Sequence, residues 1–381
     1  MDFSLSAEQH ELMAAATDFA QRELNQDLVE REDAGEFPRA AWQACAKFGI
    51  QGMPIPTELG GAGSDVLTTT LVMEALGRGC RDNGLLFSLN AQMWSVELPL
   101  VIFGSPTQQQ AYLPGLVSGD TIGGHAMTES ESGSDALHMR SRAERQGDCY
   151  LLNGSKQYIT NAPVADVLLV YASVKDRPGV TGLSAFLVDA GTPGLQVSSS
   201  FEKMGLRTSP MGEVALTDCL VPAENRLGPE GAGMAIFNSS MEWERSCLFA
   251  SAVGAMQRQL DECVAYARAR QQFGQPIGKF QSVATQLADM YVRLEAARLM
   301  IYRVAWHKQQ GRSSPTEAAA AKLFTSEAWV QSSRNAIQTH GAWGYLKDSG
   351  VERDLRDAIA GTIYSGTSEI QRVIIARMLG L

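Results

Sequence analysis

The stretch that decides the fold is CYLLNGSKQYITNAPVADVLLVY, residues 149–171. It contains short runs of β-branched, aromatic and aliphatic residues, such as Val167-Leu168-Leu169-Val170-Tyr171, separated by Asn, Gly and Pro. Apolar runs of this length, bounded by turn residues, are typical of β-strands. Asn153-Gly154 is a strong hairpin signal, so we predict a hairpin that pairs residues 151–152 with residues 157–159. Similar spacings over residues 122–221 predict a small antiparallel barrel or sandwich.

Helical patterns flank this β region on both sides. Upstream, Ser6-Ala7-Glu8-Gln9 fits a capping box at the start of a helix. Downstream, apolar residues recur at alternating spacings of four and three from Val283 to Val304, which predicts one buried helix face. Because helices and strands are segregated along the chain, we predict an α+β fold. The expected parts are an N-terminal helical domain (residues 1–120), a middle antiparallel β domain (residues 121–230) and a C-terminal helical bundle (residues 231–381).

Composition excludes several classes of protein. Of the 381 residues, 45% are apolar and 19% are charged, which is an ordinary globular composition. The net charge of −10 gives no support for nucleic-acid binding. The six cysteines are scattered without a CxxC pair, so we expect buried thiols in a reducing compartment. The first twelve residues lack the features of a secretory signal, and no apolar run approaches the roughly 18 residues of a membrane span. We therefore predict a cytoplasmic protein without membrane contact.

Several familiar routes to catalysis have no support in the sequence. No GxGxxG follows a strand, and residues 274–280 lack the spacing of a phosphate loop. No GxSxG elbow occurs, and the five histidines are isolated from one another. We therefore predict no nicotinamide site, no hydrolase triad and no metal site.

Three polar segments remain as candidates for chemistry, namely residues 126–135, residues 270–281 and residues 363–372. The first offers hydroxyl groups and turn amides, and the second pairs a cation with an aromatic ring between two predicted helices. The third places Ser, Thr and a carboxylate at a helix start, which caps the helix and can also bind a polar ligand. Each segment alone also fits an ordinary turn, an inter-helix loop or a helix cap.

Taken together and in this order, the three segments resemble the acyl-CoA dehydrogenase family, and the resemblance covers essentially the whole chain. Further matching motifs are Glu58-Leu59-Gly60-Gly61, Ile159-Thr160-Asn161 and Gln338-Thr339-His340-Gly341. The resemblance implies a helical domain, a β domain and a C-terminal four-helix bundle, in a homotetramer with one FAD per subunit. It also implies a reaction in which a carboxylate removes the α-proton of an acyl thioester while hydride passes to flavin N5.

The resemblance also assigns cofactor contacts to particular residues. Those implied to line the flavin and thioester region are Met127, Thr128 and Ser134, with Tyr158 and Thr160 against the flavin ring. Those implied to meet the FAD phosphates and adenosine, largely across a subunit interface, are Arg270, Phe273, Gln281, Gln338 and Gly341, while Thr367 and Glu369 touch FAD from the last helix. Tyr158 replaces the usual Trp, and His125 replaces a residue that is usually aromatic or apolar.

The catalytic base does not stand where most members of the family carry it. Their glutamate precedes the Gly-Thr of the last motif, where this chain has Ser365. A minority take the base from the first bundle helix, just before an arginine, and Glu244-Arg245 matches that pattern. The resemblance therefore implies Glu244 as the base, with Ser134 and Arg245 contacting the substrate. Glu242 lies about 200° away on a helix, so at most one glutamate faces the site. The alternative is that both are solvated acids at a helix start.

Within the family, the chain is most similar to the prolyl-carrier-protein dehydrogenases of natural-product biosynthesis, on motifs that include Tyr364-Ser365-Gly366-Thr367. The implied substrate is a small acyl or aminoacyl (prolyl-like) group on the phosphopantetheine arm of a carrier protein. Trp243 either narrows the acyl pocket or packs in the core. A CoA thioester of the isovaleryl or short-branched type remains an alternative substrate. Three other functions also stay open: a flavin oxidase that uses O2 rather than an electron-transfer flavoprotein, a catalytically silent flavin-binding paralogue motivated by Ser365, and a flavin-free binding module.

Overall fold

A computed structural model describes residues 4–174 and 182–381. The first part of the chain is helical, and its first helix begins with the predicted capping box, since Ser6 and Gln9 bond reciprocally at 3.0 and 3.1 Å. The helices are α1 (Ala7–Glu23), α2 (Leu28–Ala34), α3 (Arg39–Phe48), α4 (Val66–Gly79), α5 (Asn83–Gln92), α6 (Leu98–Phe103) and α7 (Pro106–Ser118).

A π-helical segment, Met93–Glu97, joins α5 to α6 and makes Asn83–Phe103 one continuous 21-residue apolar helix. The expectation that no apolar run reaches membrane-span length was wrong, because this helix meets that test by length and composition. In this protein it is a core helix, since 78% of its most apolar window is buried. Single π-helical turns are often found at functional sites, because the extra residue re-aims the side chains that follow.

The middle of the chain forms one sheet with the strand order β6-β7-β3-β2-β4-β5-β8 and with β1 beside β4. Its strands are β1 (Gly123–Ala126), β2 (Arg142–Gln146), β3 (Cys149–Thr160), β4 (Val167–Val174), β5 (Leu183–Asp189), β6 (Leu195–Val197), β7 (Met211–Pro222) and β8 (Arg226–Leu227). The pairing is antiparallel except that β4 runs parallel to both β1 and β2. Alternate residues of β4 enter two cores, Leu169 and Tyr171 against the helices and Leu168 and Val170 inside the sheet, which explains why the whole strand is apolar.

The hairpin predicted at Asn153-Gly154 was wrong. Both residues lie inside β3, and the turn that joins β2 to β3 is formed around Gly147, whose φ is +62°. The register against β7 shifts between Leu152 and Gly154, which identifies a β-bulge. Gly154 has φ +148°, and a Cβ there would lie 2.7 Å from the Ser141 Cα. Glycine is therefore required by a close backbone approach and not by a turn.

The last part of the chain is helical again, as predicted, and its long helix α10 begins at Gln281. Its elements are α8 (Gly233–Glu244), α9 (Ala250–Ala269), the two-residue strands β9 (Gln271–Gln272) and β10 (Gln275–Pro276), α10 (Gln281–Gln309), α11 (Pro315–His340), α12 (Ala342–Tyr345), α13 (Val351–Gly361) and α14 (Ser368–Met378). The predicted stripe on α10 is confirmed from Met290 to Val304, where its members are buried. The six cysteines are free, and five of them are buried. The helices, the sheet and the helical bundle together confirm the predicted α+β fold.

Candidate active site

Glu244 joins three separate parts of the chain. It is the last residue of α8, so the expectation that it stands at a helix start was wrong. Its Oε2 accepts a hydrogen bond of 2.6 Å from Ser365 Oγ, which belongs to the segment before α14. Its Oε1 accepts a hydrogen bond from Ser95 Oγ, which the π-helical segment presents. The carboxylate is thus fixed by two hydroxyl donors, one from each side.

Glu242 is engaged elsewhere, although it stands only two residues away. Its carboxylate accepts from Lys308 Nζ, from Ser313 Oγ (2.9 Å) and from the Ser314 N–H (3.2 Å). Burial alone would raise the pKa of Glu242, but the hydrogen bond and charge of Lys308 outweigh it, so the pKa lies below its ordinary value. The two glutamates therefore have separate surroundings, and only Glu244 contacts the motif around Ser365.

The Ser365 segment has an unusual backbone that is held from two sides. Ser365 has φ +54° and Gly366 has φ +90°, and the left-handed region is uncommon for a residue with a side chain. The Ser365 carbonyl accepts from Arg245 Nε at 3.1 Å and from Gln371 Nε2 at 3.2 Å. Arg245 is the residue predicted to contact substrate. Its side chain bonds the backbone of Ser365, and the Ser365 hydroxyl in turn bonds Glu244. Burial lowers the pKa of Arg245, and the neighbouring Glu244 opposes that shift.

Aromatic and polar rings surround the same face of α8. Phe237 and Glu244 are seven residues apart, so they lie on one side of the helix, two turns from each other. The His125 ring of β1 lies 6.0 Å from the Phe237 ring and 5.0 Å from the Tyr171 ring of β4, measured between centroids. Burial lowers the pKa of His125 and raises the pKa of Tyr171, and the charge of Glu244 acts on both groups. At neutral pH both rings are therefore uncharged.

Part of the predicted cofactor set lies on the continuation of β1. Beyond His125 the strand leads to Met127, which is buried, and Thr128, which is half-buried. At about 3.3 Å per residue, Thr128 lies roughly 10 Å along the chain from His125. The Thr128 carbonyl accepts from the Gln157 N–H at 2.9 Å, which brings Thr128 beside Tyr158. Tyr158 is 57% exposed with φ +61°, at a second bulge of β3.

Two further predicted residues of this region have less defined surroundings. Thr160 ends β3 opposite Met211, whereas Ser134 is exposed in the loop that follows β1.

A buried ion pair, which the sequence analysis missed, anchors the loop that follows β1. Lys156, fully buried in β3, donates to Glu129 Oε1 at 2.8 Å and to the Met127 carbonyl at 3.2 Å. Burial lowers the pKa of Lys156 to about 8, and the charge of Glu129 limits that shift. The signal in the sequence was a lysine among the inward residues of a strand. Ser95, also missed, had a similar signal, since it is a hydroxyl inside an apolar run.

The remaining predicted cofactor residues form two groups at the protein surface. One group lies at the end of the bundle where α9 ends, α10 begins and α11 ends, and it comprises Arg270, Phe273, Gln281, Gln338 and Gly341. The Gln286 side chain donates to the Asn335 carbonyl at 2.7 Å and ties the start of α10 to the end of α11. The other group is at the start of α14, where Thr367 Oγ1 accepts from the Ile370 N–H at 3.3 Å and Glu369 is exposed.

These surfaces suit a long ligand with both aromatic and polar parts. Phe273 is 93% exposed and Tyr158 is 57% exposed, so both aromatic rings are open to a ligand or to a partner. Gly341 has φ +62° and ψ −140°, a conformation essentially restricted to glycine, so its peptide is open on the side where a Cβ would stand. The residues present therefore fit FAD, whose ring, phosphates and adenosine need these different surroundings.

Comparison with known proteins gives one consistent family. Sequence models of the acyl-CoA dehydrogenase N-terminal, middle and C-terminal domains match residues 6–120, 124–219 and 231–380. An L-prolyl-[peptidyl-carrier protein] dehydrogenase of Serratia sp. is 43% identical over 100% of this chain and 99% of its own. The crystal structure of the prolyl acyl carrier protein oxidase AnaB superposes with a TM-score of 0.98 at 48% identity, covering 99% of this chain and 100% of that chain.

A structure of PigA with FAD and proline superposes with a TM-score of 0.97 at 43% identity and covers both chains completely. The fold, the cofactor surfaces and these similarities agree with one another. The chain therefore belongs to the acyl-CoA dehydrogenase family and is a FAD-dependent oxidoreductase of acyl thioesters.

Proposed function

We propose that this protein oxidises a small aminoacyl group of the prolyl type, held as a thioester on the phosphopantetheine arm of a carrier protein, and that Glu244 is the catalytic base. The observation that carries the assignment of the base is the bond between Glu244 and Ser365. It puts a carboxylate beside the position where most of the family carries one. The substrate class is supported by the names of the Serratia relative and of AnaB, both of which act on carrier-bound prolyl groups.

Glu244 takes the α-proton of the thioester in this proposal. The hydroxyl groups of Ser95 and Ser365 orient its two oxygens and leave the remaining lone pairs free to accept the proton. Bound FAD supplies the hydride acceptor. We assign contacts with the flavin and thioester to Met127, Thr128, Ser134, Tyr158 and Thr160, contacts with the rest of FAD to Arg270, Phe273, Gln281, Gln338, Gly341, Thr367 and Glu369, and a substrate contact to Arg245.

The exposed residues at the end of the bundle support a proposal for the assembly. Phe273 projects from the loop between α9 and α10, and a second subunit that covers it would complete the adenosine side of the FAD site. We therefore propose a cytoplasmic homotetramer. Its electrons pass to an electron-transfer flavoprotein or to dioxygen, and formation of hydrogen peroxide during turnover distinguishes the two acceptors.

The test is anaerobic bleaching of the bound flavin by a panel of prolyl-carrier, acyl-carrier and CoA thioesters. Glu244→Gln should retain FAD and reduce the flavin about 10²- to 10⁴-fold more slowly, because general base catalysis contributes that factor. Glu242→Gln is the matched control on the same helix and should change the rate little. Equal rates for the two variants would reject Glu244 as the base.

Other outcomes of the same panel bear on the substrate and on the alternatives. Faster bleaching by CoA thioesters than by carrier thioesters would show that the substrate is a CoA thioester and not a carrier-bound one. A flavoprotein that no thioester bleaches would identify a silent paralogue, and a protein purified without a flavin spectrum would identify a flavin-free binding module.

A further inference from the structure

Several buried polar atoms on and around α8 have no hydrogen-bond partner among the described residues, and Trp243 Nε1 is one of them. Two others are Nε2 of His125 and the hydroxyl oxygen of Tyr171, in rings whose centroids lie 5.0 Å apart. The nearby Ser240 hydroxyl donates to the Phe237 carbonyl at 2.8 Å, so it can only accept from Tyr171 and leaves the lone pairs of the phenol oxygen without a donor. A buried donor or acceptor without a partner costs about 1–3 kcal/mol. Polar groups that are retained at such a cost call for an explanation.

Packing does not explain why these two residues are polar. The Tyr171 ring belongs to the apolar run of β4 and enters the core together with Leu169. The His125 ring stacks on Phe237 with an interplanar angle of 14° and meets Tyr171 edge-on. Phenylalanine at either position would supply the ring without the unpaired atom. The two polar atoms are therefore available to a third group that enters the space between β1, β4 and α8.

The position of this pair selects the chemistry of that third group. Glu244 acts on the α-carbon of the acyl group, so atoms bonded to the α-carbon lie within a few ångströms of its carboxylate. Both rings lie 6.0 Å from the Phe237 ring, and Phe237 shares one side of α8 with Glu244, so the two rings and the carboxylate face the same side of the helix. In a prolyl thioester the nitrogen is bonded to the α-carbon. Neutral imidazole and phenol can each accept a hydrogen bond from an amine, whereas a hydrocarbon acyl group would leave both unpaired.

We propose that His125 and Tyr171 are specificity residues that bind the α-nitrogen of the acyl group and so select an α-aminoacyl thioester over a hydrocarbon acyl thioester. This inference rests on the proposed function, because it takes Glu244 as the base that defines the α-carbon. It assigns to the unpaired His125 nitrogen a role that the packing of the ring does not supply.

The experiment compares two pantetheine thioesters that differ at one position, prolyl and cyclopentanecarbonyl, in which the ring N–H becomes CH2. The holoenzyme should prefer the prolyl thioester by at least about 10²-fold in kcat/KM, because sites built to hydrogen-bond a substrate reject analogues that lack the group. His125→Phe and Tyr171→Phe should each lower kcat/KM for the prolyl thioester about 10-fold or more and leave the cyclopentanecarbonyl thioester unchanged or faster. Tyr150→Phe is the matched control, since its hydroxyl bonds Glu230 in the β domain.

Several outcomes would overturn the inference while Glu244 keeps its role. These are equal oxidation of both thioesters by the natural enzyme, or an equal loss for both thioesters in His125→Phe and Tyr171→Phe, which would indicate a packing role. If neither thioester reduces the flavin, the proposed function fails, and calorimetric binding of each thioester to the holoenzyme decides the inference separately. A prolyl preference in binding that His125→Phe removes would support it, and equal or absent binding would overturn it.

Discussion

Two buried polar clusters of this protein differ in how their polar groups are paired. In the first cluster, Asp354 accepts from both terminal nitrogens of Arg258 at 3.1 Å and from Asn83 Nδ2 at 2.9 Å. Asp357 accepts from the same Asn83 nitrogen at 2.9 Å and from the Leu206 N–H at 2.6 Å. Every oxygen of these two carboxylates has a partner, and the Arg258–Asp354 pair matches opposite charges, although Arg258 Nε has no partner among the described residues. In the second cluster, around Glu244, His125 Nε2 and the Tyr171 hydroxyl have no partner in the part of the chain that the structure describes.

The difference separates structure from function. The cluster at Asp354 joins α5, α9, α13 and the segment that precedes β7, so it ties the three parts of the chain together. Each oxygen of its two carboxylates accepts at least one hydrogen bond. The cluster at Glu244 also joins separate parts of the chain, but its carboxylate is held by hydroxyl groups and not by a cation. We call the first cluster closed, because its buried carboxylate is matched by a cation whose removal destabilises the fold, and the second open, because its carboxylate is held by neutral groups beside unpaired ring atoms.

The largest expected effect comes from opening the closed cluster. Arg258→Met leaves Asp354 buried without its charged partner, which should lower the free energy of unfolding by about 3–5 kcal/mol. Arg78→Met is the control, because the Arg78–Asp261 pair is about half exposed and should contribute at most about 1 kcal/mol. Chemical denaturation measures both losses, and similar losses would contradict the comparison. The folded fraction of Arg258→Met should reduce its flavin at the normal rate.

The second prediction concerns pH and the carboxyl of Asp357. Burial raises its pKa to about 7, with a contribution from the charge of Asp354, although the Leu206 N–H opposes the shift. The folded protein then holds this proton more tightly than the unfolded chain, so the contribution to stability is complete below about pH 4 and is lost as the pH rises through 7. The stability of the natural protein relative to Asp357→Asn should fall by up to about 1.4 kcal/mol per pH unit between these limits.

Thermal or chemical unfolding of both proteins from about pH 4.5 to about pH 8 provides the measurement, because this range extends about one unit beyond the shifted pKa. The amide of Asp357→Asn does not titrate, so any change that it makes to the free energy of unfolding is the same at every pH and does not affect the slope. A difference that stays flat across the range would show that Asp357 is ionised in the fold.

The third prediction tests the open cluster through its orienting hydroxyls. A hydrogen bond to a charged group contributes about 1.5–3 kcal/mol, so Ser365→Ala should slow flavin reduction about 10-fold or more by releasing Glu244. Ser313→Ala removes a comparable bond of 2.9 Å from Glu242 and is the control. Each variant removes one hydrogen bond to a carboxylate and should lose a similar amount of stability, up to about 3 kcal/mol, so the rate and not the stability distinguishes them. A Ser365→Ala enzyme as fast as Ser313→Ala would show that Glu244 does not need this partner.

The sequence was informative wherever the signal is local. The capping box at Ser6, the apolar stripe on α10 and the order of helices and strands follow from spacing alone, and the structure confirms them. The cofactor and base assignments came from motifs, and the structure adds the contact between Glu244 and Ser365 to them without testing their roles.

The errors and omissions concern features that depend on distant parts of the chain. Asn153-Gly154 has the local pattern of a hairpin, but the close approach of Ser141 makes it a bulge. Lys156 and Glu129 pair across 27 positions, and no spacing rule predicts such a pair. The orientation of Glu244 at the end of α8 depends on where that helix begins, which no capping residue marks.

The smallest expected effect belongs to Trp243, which stands beside the open cluster and whose ring is packed between other side chains, although its Nε1 has no partner among the described residues. Its ring stacks on Trp94 at 5.7 Å and 8°, and Lys308 Nζ lies 4.9 Å from its centroid, so the side chain is committed to packing. Trp243→Phe should cost about 1 kcal/mol of stability, because it keeps a ring at this contact and loses only part of the stacking area. The preference among thioesters of different acyl size should stay unchanged. Oxidation of larger acyl groups by Trp243→Phe would instead show that the indole bounds the acyl pocket, and the open cluster would then extend to this side of α8.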